Sequence, residues 1–219
     1  MWVSHKAQFL GPLLFLLYTN DLPMHVSRCN LFADDTLIYC SGATVTESAA
    51  KLQEELHKVH NWFVSNKLTL NINKSNTMVI GTRQRIGDSA SKESLGITIN
   101  GIQLKNCCEY TYLGLTIDSH LSWNAQVEKV CKKLGSRVAM LQRMRGTFSS
   151  AQLNTLYFSF VQPHVDYALS VWGNTTQQNL QRVQRHLNRS ARIVSNNFDF
   201  DVPSLSIIES QTILDFGKS

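Results

Sequence analysis

Two neighbouring carboxylates, Asp34 and Asp35, stand inside the stretch LFADDTLIY at positions 31–39 and are the residues most able to do chemistry. An Asp-Asp pair by itself is ordinary turn composition. Here apolar residues flank it on both sides. Like-charge repulsion and lost solvation would then both oppose ionisation, and a divalent cation that prefers hard oxygen ligands would relieve both costs. Successive side chains of a strand point to opposite faces, so both carboxylates can approach one ion only at a hairpin bend. CNLF before the pair and TLIYC after it read as the two strands of such a hairpin.

A second constellation is basic. Arg182, Arg185, Arg189 and Arg192 recur at steps of three, four and three, which puts four guanidinium groups on one face of a helix whose adjacent face carries Leu180, Val183, Leu187, Ala191 and Val194. Lys129, Lys132, Lys133, Arg137, Arg143 and Arg145 add a second cluster on an earlier helix. Arginine stripes can track phosphates along a duplex, with affinity that falls as salt rises; a solvated helix surface is the plainer alternative.

The elements that must position these groups follow from periodicity. Pro12 fits the first turn of a buried apolar helix that ends near Asp21 to Pro23. Thr44 and Glu47 form a capping box ahead of Ala49, Leu52, Leu56, Val59 and Phe63, which predicts an amphipathic helix. KLTLNINKSNTMVIG reads as a strand pair, RQRIGDSASKES as a flexible polar connection, LGITINGIQL as a hairpin turning at Asn100-Gly101, and YTYLGLTI as one further short strand. From Trp123 the pattern turns helical, with Val127, Cys131, Leu134, Val138 and Leu141 as a narrow seam, then helices over about 151–161 and 180–194. The fold class expected is α+β, helices on one antiparallel sheet followed by an all-helical part.

Composition bounds the alternatives. Of 219 residues 43% are apolar and 17% charged, which argues against disorder. The net charge of +5 is unevenly spread: residues 1–124 are neutral, 125–195 carry +8, and 196–219 carry −3. Such a basic segment suits a polyanion partner. Five cysteines without CxxC spacing indicate neither a zinc site nor a disulfide framework, and the seven histidines show no metal-ligand spacing. The apolar run from Phe9 to Tyr18 is too short to span a bilayer and is broken by Gly11-Pro12, so no membrane partner is expected. Trp62, Trp123 and Trp172 read as core or interface aromatics.

Five blocks, in order, carry a family resemblance: LGPLLFLLYTNDLP, FADD, LTLNINKSNTMVIG, YLGLTID and FVQPHVDYALSVWG. Together they resemble the reverse transcriptases of non-LTR (LINE-type) retrotransposons over about residues 9 to 195. The resemblance implies a partial right-hand polymerase palm over 1–122, a basic helical thumb over 123–196 and an acidic tail over 197–219. It implies RNA-directed DNA synthesis at a two-metal site with Mg²⁺ or Mn²⁺, an RNA/DNA template-primer and dNTP as partners, and a location in the nucleus or cytoplasm. By position, Asp34 would ligate metal, and Asp35 would ligate or orient the same site. Phe32 and Ala33 would lie beside the primer end, Gly11 and Pro12 near the nucleotide, and Lys74 near the triphosphate, where it could protonate the leaving pyrophosphate. A solvated turn lysine is the other reading of Lys74.

Two departures qualify the resemblance. The family's Gln-Gly-Ser-x-Leu-Gly-Pro block stands here as Lys6 to Pro12, altered in its first half. The chain also begins at this block, so the fingers and the palm strand bearing a third metal-binding aspartate are expected to be missing. The expectation is a catalytically incomplete polymerase, with a missing N-terminal polymerase half as a further partner. The alternatives are a non-catalytic nucleic-acid-binding module and a remnant without function.

Overall fold

A computed structural model describes residues 3–90 and 95–198. The chain divides into two compact units, Met1–Cys108 and Glu109–Ser219.

The first unit opens with α1 (Val3–Thr19), in which Pro12 lies inside the helix and not in its first turn. Leu10, Leu13, Leu14, Leu16 and Leu17 are each at least half exposed, so the helix is not the buried element expected. Their spacing places them on one side of the helix, and that side is left open to solvent in the described residues. The end of the helix is tied down where Tyr18 donates to the Asn66 carbonyl at 2.6 Å. α2 (Leu22–His25) follows and buries Leu22. β1 (Cys29–Phe32) and β2 (Asp35–Ile38) then form an antiparallel hairpin.

α3 (Val45–Ser65) is the helix the capping pattern predicts. Thr44 Oγ1 accepts from the Glu47 N–H at 3.1 Å, while the Glu47 carboxylate reaches back to the Ala43 N–H at 2.8 Å. Val59 and Trp62 pack with Leu22 and Val26, with Phe63 partly buried beside them; Leu56 joins Ile97, Ile99 and Leu104 in a second cluster. Glu55 is buried on the same helix and accepts from the Ser27 N–H at 2.7 Å and from Lys58 Nζ at 2.7 Å. The Lys58 hydrogen bond, and then the Ser27 N–H, hold its pKa below the ordinary carboxylate value.

KLTLNINKSNTMVIG does not form the strand pair expected. Lys67 takes a left-handed φ of 55° and the Leu68 N–H closes onto the Phe63 carbonyl at 2.9 Å, after which Leu68 and Leu70 pack beneath α3. Their alternation therefore reflects contact with a helix and not a ladder. A single 3-10 turn spans Ile72–Lys74, and β3 (Asn76–Thr77) follows. α4 (Arg83–Ala90) occupies much of the segment expected to be a flexible connection. β4 (Thr98–Ile99) and β5 (Ile102–Gln103) make the expected hairpin, with positive φ at both Asn100 (50°) and Gly101 (75°), as a type I′ turn requires. Gln53 of α3 fastens that hairpin by two bonds to Thr98, at 2.9 and 2.8 Å. β6 (Lys105–Asn106) pairs in parallel with β3.

The second unit starts with β7 (Glu109–Tyr112) and β8 (Leu115–Asp118), a hairpin turning at Leu113 (φ 47°) and Gly114 (φ 80°), where the residue pattern alone predicts one strand. α5 (Asn124–Met144), α6 (Ser150–Phe160), α7 (Gln162–Asp166), α8 (Leu169–Trp172) and α9 (Gln177–Ser195) complete it. The seam of α5 is buried as its period predicts, at Val127, Leu134, Val138 and Leu141, with Val130 deeper than Cys131. It shares one core with Leu153, Tyr157, Trp172, Val183, Leu187 and Val194. Leu115 belongs to that core as well. The hairpin therefore groups with the helices, and the units part at 108–109, ahead of the expected division between 122 and 123.

The molecule is thus mixed helix and strand. Its described strands make four separate two-stranded pairs in place of one sheet. The acidic tail lies outside the described residues from 199 onward. No helix among the described residues is long and apolar enough to cross a membrane.

Candidate active site

The aspartate pair sits at the bend of the first hairpin. Ala33 and Asp34 form the two-residue turn, and Asp35 opens β2 opposite Phe32. Ala33 has a φ of 52°, a left-handed backbone that costs a non-glycine residue roughly 1–2 kcal/mol. Strand alternation turns Cys29, Leu31 and Ile38 toward the core under α3 and leaves Asn30, Phe32, Asp35 and Leu37 on the open face. Asp34 and Asp35 are both exposed. This corrects the expectation that the apolar flanks bury the pair: Leu31 and Ile38 turn to the core side, while Phe32 and Leu37 are themselves exposed, so water solvates the two charges.

Neither carboxylate takes part in an ion pair among the described residues. Two adjacent hard oxygen donors, open to solvent and without a protein cation, suit an ion such as Mg²⁺. That ion keeps several waters and is held by one or two carboxylates plus substrate phosphates. Among the described residues no group of three or more His, Cys, Asp or Glu could hold a metal. The donor set present is therefore two carboxylates, enough for a shared ligand set and too few for a closed protein cage.

The other expected site residues divide by location. Phe32 is 59% exposed and lies on the same open face as Asp35, with Ala33 between it and Asp34. Lys74 ends the 3-10 turn, exposed and without an ion-pair partner among the described residues; no bond joins it to the aspartates. Gly11 and Pro12 lie inside α1. A Cβ at Gly11 would meet nothing within 4 Å. No steric need for glycine exists at that position.

The basic groups occupy the second unit. Arg185 and Arg189 are exposed and Arg182 and Arg192 half-buried, on the side of α9 away from buried Leu180, Val183, Leu187 and Ala191. On α5, Lys132, Lys133 and Arg143 are exposed, Arg137 is half-buried, and Lys129 Nζ donates to Thr116 Oγ1 at 3.4 Å. Arg145 lies over the Phe198 ring at 4.3 Å. His186 of α9 packs close to Gly135 of α5, where a Cβ would meet its Cε1 at 3.6 Å; burial and then Arg189 lower its pKa.

The pattern described as "Reverse transcriptase (RNA-dependent DNA polymerase)" matches residues 9–117, about half of the chain and the whole of the aspartate hairpin. The chain belongs to the reverse transcriptase family. It is similar to the RNA-directed DNA polymerase from mobile element jockey of Drosophila funebris, at 24% identity over 82% of this chain and 20% of that protein. It is also similar to two probable RNA-directed DNA polymerases of Drosophila melanogaster. That from transposon X-element is 24% identical over 87% of this chain and 21% of that protein, and that from transposon BS is 26% identical over 87% and 22%. These relatives group the chain with the non-LTR, LINE-type reverse transcriptases. The chain spans about a fifth of the length of the curated relatives it matches. No solved structure matches it closely enough to add to the comparison.

Two blocks of the family resemblance have structural jobs that spacing alone did not reveal. In YLGLTID, the last residue is the buried Asp118, which accepts from the N–H groups of His120 (3.1 Å), Ser122 (3.0 Å) and Trp123 (2.8 Å) and from Ser122 Oγ (3.2 Å). Burial would raise its pKa, but the N–H donors of Ser122, Trp123 and His120 outweigh it and hold the carboxyl below its ordinary value. The carboxylate thereby fixes the left-handed Trp123 (φ 63°) from which α5 starts. In FVQPHVDYALSVWG, buried Gln162 accepts from the Tyr157 hydroxyl and donates to Asp166 at 2.8 Å. Tyr167 donates to the Leu113 carbonyl and Trp172 Nε1 to the Tyr167 carbonyl at 2.8 Å, which ties the β7–β8 turn to the helices. A polar residue at an otherwise apolar helical position, as Gln162 is, was the available signal.

Proposed function

We propose that this chain supplies the metal-binding aspartate pair and a template-gripping helical unit to RNA-directed DNA synthesis by a non-LTR reverse transcriptase. The observation that carries the reading is the exposed Asp34-Asp35 pair on a two-residue bend between short antiparallel strands. Asp34 and Asp35 would hold Mg²⁺ or Mn²⁺. When bound, such an ion lowers the pKa of a primer 3′-hydroxyl and offsets the charge that builds on the α-phosphate of a dNTP. Phe32, on the open face beside Asp35, would bear against the sugar and base of the primer end. Lys74, exposed on its turn, would donate a proton to the leaving pyrophosphate. Residues 1–122 would act as palm and 123–196 as thumb.

With two carboxylates and no third acidic group beside them among the described residues, these 219 residues by themselves are expected not to extend a primer. Calorimetric titration with Mn²⁺ should show binding that Asp34→Ala and Asp35→Ala each abolish; isotherms indistinguishable from those of the unaltered protein would sink the metal assignment. In a gel assay with an RNA template, DNA primer and Mg²⁺, no nucleotide addition is expected. Addition lost in Asp34→Ala would show that the two carboxylates suffice.

A second reading, a nucleic-acid-binding module that does no chemistry, is favoured by the arginine stripe on α9. It predicts salt-sensitive binding of an RNA/DNA duplex that is lost when the four arginines are neutralised and is indifferent to Asp34→Ala.

A further inference from the structure

α1 leaves open an apolar surface that neither the metal nor the phosphate chemistry uses. Leu10, Leu13, Leu14 and Leu17 follow the i, i+3, i+4, i+7 spacing of a single helix face, a stripe about 100° wide. Each is more than half exposed, and none joins a core cluster among the described residues. At about 100° of turn per residue, Thr19, buried at the end of this helix, lies nearly opposite the stripe. The leucines therefore face away from the side that packs. A helix stripe of this kind ordinarily faces a core or a second helix. It is also free of charge, since no Asp, Glu, Lys or Arg stands between Ala7 and Asn20. Gly11 adjoins it, and nothing lies within 4 Å of where its Cβ would be, so a second backbone can come close there. With Tyr18, these side chains leave on the order of 500 Å² open, and two copies face to face would bury roughly 1,000 Å², about the least that a specific interface needs.

We propose that α1 is a self-association face, through which two copies of this chain pair by Leu10, Leu13, Leu14 and Leu17 in a two-fold symmetric dimer. The occupant is a second copy because the stripe is complementary to itself. A two-fold axis across its middle sets Leu13 and Leu14 of one copy against the same leucines of the other, and Leu10 against Leu17. Apolar surface meets apolar surface, and the pairing buries no charge and opposes no like charges. An area near the lower limit for a specific interface gives a dissociation constant on the order of 10 µM. Neither the metal nor the nucleic-acid reading bears on this pairing.

Sedimentation velocity of the full chain from about 1 to about 100 µM tests this. The weight-average mass should rise from monomer toward dimer and stop there. Leu13→Glu and Leu13→Lys each set like charges across the axis and should weaken pairing about 100-fold, whereas an equimolar mixture of the two variants should recover a dimer. Leu13 lies outside every core cluster, so the circular dichroism of both variants should match that of the unaltered protein. Met24→Gln, at an apolar side chain outside α1 that is 82% exposed, should leave the dimer unchanged. A monomer at every concentration, or association that grows past the dimer and persists in Leu13→Glu, would overturn the pairing. So would two charge variants that fail to rescue each other. A monomer that floats with phosphatidylcholine vesicles, unless it carries Leu13→Glu, would overturn it in favour of a lipid surface. A monomer that binds, through Leu13, the part of the jockey polymerase that this chain does not match would overturn it in favour of a different protein partner.

Discussion

Asp118 offers the most direct test of how the second unit is built. Asp118→Ala removes one charged acceptor from three backbone N–H groups and a serine hydroxyl, at 2.8 to 3.2 Å. The His120 and Ser122 donors are partly buried and can recover water, whereas the bond to the Trp123 N–H is buried and that donor cannot. A buried unsatisfied donor costs roughly 1–3 kcal/mol, and hydrogen bonds to a charged group contribute about 1.5–3 kcal/mol, which together predict a loss of about 3 kcal/mol. At a urea dependence of ~2 kcal/mol per molar, the midpoint should fall by about 1.5 M. Asp118→Asn keeps one acceptor oxygen and should lose about half as much.

The same experiment has a pH arm. Asp118 is held below its ordinary pKa in the folded protein. The unfolded chain therefore binds the proton first as pH falls, and the stabilisation is complete above the unfolded value. It is lost as pH drops through the folded one. The gap between unaltered protein and Asp118→Asn should be full at neutral pH and should close in strong acid. A gap that does not change with pH, or an Asp118→Ala loss below about 1 kcal/mol, would refute the assignment of the carboxylate as the anchor of α5.

Gln162→Leu should strand the Tyr157 hydroxyl, which is fully buried, and cost about 2 kcal/mol; adding Tyr157→Phe should recover most of that in a double-mutant cycle. Converting Arg182, Arg185, Arg189 and Arg192 to Gln should lower the slope of log K against log salt for duplex binding by about 3 to 4, with the circular dichroism of α9 unchanged because its packed face lies elsewhere. Gly114→Ala should cost about 1 kcal/mol from its φ of +80° alone. A Cβ there meets the Tyr167 ring only at 3.6–3.9 Å. A neutral result in a thermal melt would mean the turn relaxes.

What could be read from residue order was whatever has its own local physics. α3 announces itself by a cap and a 3.6-residue period, the Asn100-Gly101 turn by backbone demands few other pairs meet, and α5 and α9 by seams that are buried as spaced. α1 and the Leu68 to Ile80 segment were misread for one shared reason: apolar spacing tells how often a side chain is covered, not what covers it. Leu68 and Leu70 alternate because they dock on α3, and the leucines of α1 share one side of the helix yet stay exposed. At the site, the bend under Asp34 and Asp35 was legible from the flanking strands. Their exposure was not, because the side of a hairpin that faces the core is settled by a helix that comes later in the chain. Gln162 and Asp118 were visible only as polar letters within recognised blocks, with no periodic signal of their partners.

The bend that carries Asp34 and Asp35 is held in place by hydrophobic contacts three residues to either side of the pair. Leu31 and Ile38 key the hairpin into the core, and the pairing Phe32↔Asp35 depends on that key. Inserting or deleting one residue in either strand would invert its alternation and drive Asp35 toward the packed side, with composition barely altered. The metal binding proposed for this hairpin would thus be indexed by its aliphatic side: Leu31→Ala, which removes a core contact and neither carboxylate, should weaken Mn²⁺ binding by loosening the pair. Lineages that keep the aspartates while eroding that aliphatic key would retain the motif and lose its aim.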